Sequence, residues 1–167
     1  MQIGDPAPTF SLPDTDGREH RPDGVTVVVF TCNHCPYALG WHGRLIEVAG
    51  DYPQVTFLAV NPNDPERYPA DSYEAMKERV AADGGWPHPY LRDESQEVAR
   101  AYGAKTTPDV FLLDAHGRLR YRGAPDSDHR DPGQGAIWLR EALDAVLSGE
   151  QVGRPETEPV GCSVKWR

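Results

Sequence analysis

The sequence predicts an α/β domain with a central mixed sheet flanked by helices, and three observations carry that prediction. The run VTVVVF at 25–30 is β-branched and apolar without alternation, as suits a strand covered on both faces. A second such run, VTFLAV at 55–60, follows a stretch in which Trp41, Leu45 and Val48 recur at i, i+4 and i+7. That order is β-α-β, which implies parallel strands joined by a crossover helix. Downstream, DVFLLD (109–114) and RLRYRG (118–123) flank a turn at His116-Gly117, the pattern of an antiparallel hairpin.

Residues 1–24 are rich in Pro, Gly and Asp and read as a lead-in with a short hairpin turning at Asp16-Gly17. The crossover helix, about 36–50, opens on Pro36, where a missing N–H costs nothing. NPNDPERYP reads as a loop, DSYEAMKERVAAD (71–83) as a charged helix and GGWPHPYLRD (84–93) as another loop. ESQEVARAY (94–102) is a short helix stopped by Gly103, and GAIWLREALDAVLSG (135–149) is amphipathic through Leu139, Leu143 and Val146. These elements make one domain over 1–150, with 62–93 as an insert and 151–167 as a tail packed on it. In that tail Val160, Cys162, Val164 and Trp166 alternate with smaller or polar residues, as in an extended segment with one buried face.

A chain of 167 residues is the size of one domain and can bury a core without disulfide staples. Its 17 basic against 26 acidic side chains, a formal charge of −9, argue against nucleic acid or an anionic membrane as a partner. The N-terminus has no basic stretch followed by an apolar one, and no run approaches the roughly 20 apolar residues that span a bilayer. A cytoplasmic location is the expectation. In a reducing compartment a close cysteine pair serves catalysis or metal more often than structure, so Cys32 and Cys35, with Cys162 as the odd third, carry the functional question.

The order strand, Cys-x-x-Cys, helix, strand, helix, Pro-led hairpin, helix resembles the thioredoxin fold. The opening GDPAPTFSLPDTDG and the hairpin FLLDAHGRLRYRG resemble the AhpC/TSA (peroxiredoxin-like) and TlpA-like branch, over residues 3–148. The resemblance implies a thiol-disulfide oxidoreductase with no cofactor, acting on protein or small-molecule thiols and disulfides and recycled by a cellular thiol reductant. It also implies a cis Thr107-Pro108 bond beside the cysteines, leaving the Thr107 backbone free to pair with an extended substrate. Thr107, Asn33, Asn61 and Arg122 are then the expected substrate-binding residues.

A cysteine at a helix start faces unpaired N–H groups and the positive end of the macrodipole, which favour thiolate. Cys32, at the strand exit, is expected to be the exposed attacking thiolate and Cys35, one turn deeper, the resolving thiol. A cationic His34 between them would stabilise the Cys32 thiolate and make the disulfide a stronger oxidant. The alternatives are a zinc clip of Cys32, Cys35, His34 and Cys162, a non-catalytic binding module, and a peroxidase with Cys35 or Cys32 as peroxidatic thiol. Against the last, the Thr and Pro that precede a peroxiredoxin's cysteine are replaced by Cys32 and Val28 when Cys35 takes that position, although Arg122 or Arg130 could supply a cation. The buried acid that thioredoxins carry six residues before the first cysteine is replaced by Thr26, so proton transfer needs another group. Cys162 is either a small buried hydrophobe or a second resolving thiol folded back toward the helix start.

Overall fold

The computed structural model describes all residues, 1–167. Its central sheet has five strands in the order β5-β4-β3-β7-β8, made of β3 (Thr26–Phe30), β4 (Thr56–Asn61), β5 (Tyr90–Arg92), β7 (Asp109–Leu113) and β8 (Leu119–Gly123). β3, β4 and β5 are parallel, while β7 runs antiparallel to β3 and β8 antiparallel to β7. Such a mixed sheet is the one the thioredoxin resemblance implied. A hairpin of β1 (Leu12–Pro13) and β2 (Glu19–His20) precedes it. No helix is long and apolar enough to cross a membrane.

The unbroken apolar run of β3 has its physical reason in two core layers. Val27 and Val29 face one layer with Trp41, Leu45 and Val48 of α1 (Pro36–Asp51) and Leu139 and Leu143 of α4 (Ile137–Leu147). Val28 and Phe30 face the other, with Tyr102 of α3 (Glu97–Tyr102), Leu91 and Phe111. Every residue of β3 and β7 is buried, so alternation has no place in either strand. The insert contributes α2 (Tyr73–Ala82), whose Met76 packs on Ala59 and Tyr90.

The expected loop at 84–93 in fact ends in β5, which extends the sheet beside β4. Only three residues pair there, too few for a period-2 pattern to register, and Pro87 and Pro89 just ahead of them signal a loop. The tail does have a buried face: Val164 is 3% exposed and β9 (Cys162–Ser163) pairs antiparallel with β6 (Thr106–Thr107).

One buried ion pair fastens α1 to the segment leading into α4. Arg44 Nη1 donates to both carboxylate oxygens of Asp126, at 2.9 and 2.8 Å, and Asp126 also accepts from Trp41 Nε1 and the backbone of Ala136. Removing one member of a buried pair leaves the other charge uncompensated. Asp126→Ala is therefore expected to cost about 3–5 kcal/mol in urea unfolding.

His88, buried beside Phe57 and Trp86, is pushed down to about 4 by loss of water. Between that value and its ordinary 6.5 the unfolded chain binds a proton that the folded chain refuses. Its contribution is complete above pH 6.5 and is lost as pH falls toward 4. The urea midpoint should fall over that interval, and less steeply in His88→Gln than in wild type.

Candidate active site

The carboxyl end of β3 feeds directly into the cysteines because Phe30 is the last residue held in the sheet and Pro36 opens α1 five residues on. Cys35 is the residue just before α1, so its sulfur meets the unpaired N–H groups of the first turn. Cys32 Sγ lies 3.3 Å from the Thr107 hydroxyl, and Cys35 Sγ lies 3.2 Å from the Thr107 carbonyl. The Thr107-Pro108 bond is cis. Thr107 and Pro108 thus border both sulfurs, although they are 72 or more residues away in sequence.

Cys32 is not the exposed thiolate expected: both Cys32 and Cys35 are 0% exposed, covered in part by Cys162. The two thiols are coupled. Donating its hydrogen to Cys35 and being buried push the Cys32 thiol far up, with the nearby Asp71 charge adding to the rise. The same hydrogen bond, helped by Cys162 and the Ala38 N–H, draws Cys35 down to about 4 against the opposing effect of burial.

His34 does not stand free to serve Cys32. Its Nδ1 lies 2.5 Å from Asp71 Oδ2, off the line of the ring N–H, and its ring stacks on Tyr68. Asp71 is fully buried and is the group the sequence reading missed. Its carboxylate accepts from the backbone N–H of Asn33 (2.6 Å), Asn61 Nδ2 (3.2 Å) and Asn63 Nδ2 (3.0 Å). Thr26 lies at the far end of β3, and the buried acid beside the cysteine loop comes instead from the insert. Arg79, on α2, donates to the Cys32 carbonyl and to Asn33 Oδ1, so the insert builds the cysteine loop as well as flanking it.

Three of the expected substrate contacts are structural. Asn33 is consumed by Ala70 O, Tyr90 OH and Arg79, and Asn61, fully buried, holds Asp71 and Tyr90. Arg122 pairs with Asp109 at 2.9 Å, bonds Gly103 O and covers the Phe111 ring, so its charge is spent away from the sulfurs. The Thr107 backbone is not free either, because Cys162 is its strand partner. For a metal, Cys32, His34 and Asp71 offer ligand atoms within 4.8 Å of one another. This differs from the expected clip, with Asp71 in place of Cys35 and Cys162, and supplies three of the four donors a structural zinc takes.

The AhpC/TSA family model matches residues 3–122. The chain belongs to the AhpC/TSA family. As a member it is 30% identical over 127 residues to the thiol-disulfide oxidoreductase ResA of Geobacillus thermodenitrificans (strain NG80-2), covering 72% of this chain and 68% of that one. An uncharacterized conserved protein from Geobacillus kaustophilus is 41% identical in its crystal structure, with a TM-score of 0.90 over 99% of this chain and 93% of the other. The pneumococcal exposed lipoprotein thioredoxin Etrx1 from Streptococcus pneumoniae, 20% identical over 82% of this chain and 99% of that one, has a TM-score of 0.64 and shares the fold. This AhpC/TSA chain is a thioredoxin-fold protein.

Removing the Asp71 charge withdraws one of the causes that raise Cys32. It also leaves an N–H or NH₂ donor of the loop facing another donor, at a cost of about 1–3 kcal/mol. In Asp71→Asn, alkylation of Cys32 against pH should have a lower midpoint than in wild type, alongside a lower urea midpoint. An unchanged alkylation profile would remove Asp71 from the electrostatics of the thiol.

Proposed function

We infer that the protein is a thiol-disulfide oxidoreductase whose working couple is Cys32 and Cys35. The observation that supports this most directly is the packing of the two sulfurs together at the start of α1, each within hydrogen-bond distance of Thr107. One proton shared by touching thiols lets the charge move from Cys35 to Cys32 by a shift of that proton alone. The Thr107 hydroxyl and the backbone N–H of His34, which both favour charge on Cys32, receive it there. Cys32 then attacks a substrate disulfide, the distal substrate sulfur leaves as thiolate, and Cys35 attacks Cys32 Sγ to release the second substrate thiol. The substrate is a protein or small-molecule disulfide, and a thiol reductant reverses the cycle.

His34 and Asp71 sit beside Cys32 as an imidazole–carboxylate pair through which a proton leaves the buried loop, the duty left vacant at Thr26. A cytoplasmic setting, where such thiols are kept reduced, is part of this reading.

The reading is tested by disulfide reduction with dithiothreitol as the reductant. Wild type should reduce insulin, whereas Cys32→Ser should lose essentially all turnover. Cys35→Ser should stall as a mixed disulfide on Cys32, visible by mass. Full activity in Cys32→Ser would overturn the assignment.

A further inference from the structure

The C-terminal strand occupies the position where an extended substrate would pair. β9 lies antiparallel on β6, with Cys162 opposite Thr107 and Ser163 opposite Thr106. The approach is so close that a Cβ on Gly161 would lie 2.8 Å from the Thr107 carbonyl carbon, so no larger residue fits. Beyond Cys162 the strand is pinned on several sides. Val164 N donates to Lys105 O, Lys165 N to Asn63 Oδ1, and Lys165 O accepts from Asp64 N and Gln96 Nε2. The effect is to deliver a thiol to the couple: Cys162 packs on the cluster of Cys32, Cys35 and Ala38, and its sulfur contacts Cys35. Cys35 thus has two thiols beside it, those of Cys32 and Cys162.

Building on the exchange chemistry assigned to the couple, we propose that Cys162 is a third redox thiol and the tail a tethered substrate, with Cys35 able to hold its disulfide with either neighbour. The step is an isomerisation. The Cys162 thiolate attacks Cys35 Sγ, the Cys35–Cys162 bond forms, and the Cys32–Cys35 bond breaks with its electron pair on Cys32. Cys32 takes up the proton that Cys162 gave. One disulfide and one thiol exist before and after, so no further oxidant is consumed; the starting disulfide comes from an oxidised small-molecule disulfide. In the reduced protein, burial and the contact with Cys35 hold Cys162 up at about 11, and the charge on Cys35 disappears once that sulfur enters a disulfide. The exchange frees Cys32 for a second encounter.

The test is peptide mass mapping after graded oxidation of reduced protein with oxidised glutathione. Wild type should give both Cys32–Cys35 and Cys35–Cys162 linkages, in a ratio independent of protein concentration. Cys32→Ser should give Cys35–Cys162 within one chain, and Gly161→Ala, which pushes the strand off Thr107 without touching a sulfur, should lose that linkage while keeping Cys32–Cys35. A wild-type map with Cys32–Cys35 alone and Cys162 free or glutathionylated overturns the proposal and leaves the exchange couple intact. Failure of the couple itself reads differently: Cys162→Ser would then form no Cys32–Cys35 disulfide and reduce no insulin. The wild-type map decides even where a variant does not fold.

Discussion

The buried carboxylate of Asp71 is the constraint on which the site depends. The loop carrying Cys32, Asn33 and His34 has left the sheet and has not yet entered α1, so its backbone needs partners from elsewhere. Asp71 supplies them, binding the Asn33 N–H and two asparagine amides from the end of β4 while standing against His34. Charge-assisted bonds of this kind contribute about 1.5–3 kcal/mol each, and three donors around one carboxylate make its burial tolerable. Arg92, itself 3% exposed, ties the carbonyls of Asn61, Asn63 and Asp71 together. The loop geometry is therefore set by the insert and by β4 and β5 more than by the cysteines' own neighbours in sequence.

That arrangement carries an electrostatic consequence. A carboxylate beside Cys32 opposes a thiolate there, whereas the first turn of α1 favours one on Cys35. In a thiol pair sharing one proton these preferences decide where charge rests without deciding which sulfur reacts. The reacting sulfur is the one a substrate can reach, and β9 pairs with Thr107 beside both sulfurs. Burial of the pair and docking of the tail are one feature seen from two sides.

How much of this could be read in the sequence follows the range of the forces involved. β3, β4, α1, α4 and the β7–β8 hairpin are visible because each buries a continuous apolar face, and burial leaves a period in the sequence. The cysteine pair is visible because its helix-start position is local. Asp71 is not, because a lone Asp before Ser72 at the start of α2 looks like an ordinary helix-start acid, and only the tertiary fold shows that its carboxylate turns inward. Asn33, Asn61 and Arg122 read as substrate contacts in the sequence for the converse reason: polar residues near a site are equally suited to bracing it, and their partners Tyr90, Arg79 and Asp109 lie on other elements. The alternation through Cys162 and Val164 did register the buried face of the tail, but no local signal names Thr107 as its partner.

The same geometry bears on which redox chemistry the fold performs. Peroxide cleavage needs donors that hold and polarise two oxygens over a thiolate reachable from solvent. Here the sulfurs are covered, Thr107 presents one hydroxyl and one carbonyl, and Arg122 has been neutralised by Asp109. A thiol-disulfide step asks for less. It needs a second sulfur in contact, a route for one proton and a strand-sized surface beside the couple. In the function proposed above, Cys35, the His34–Asp71 pair and the edge of β6 take those three parts, and the chain's own C-terminus pairs along that edge.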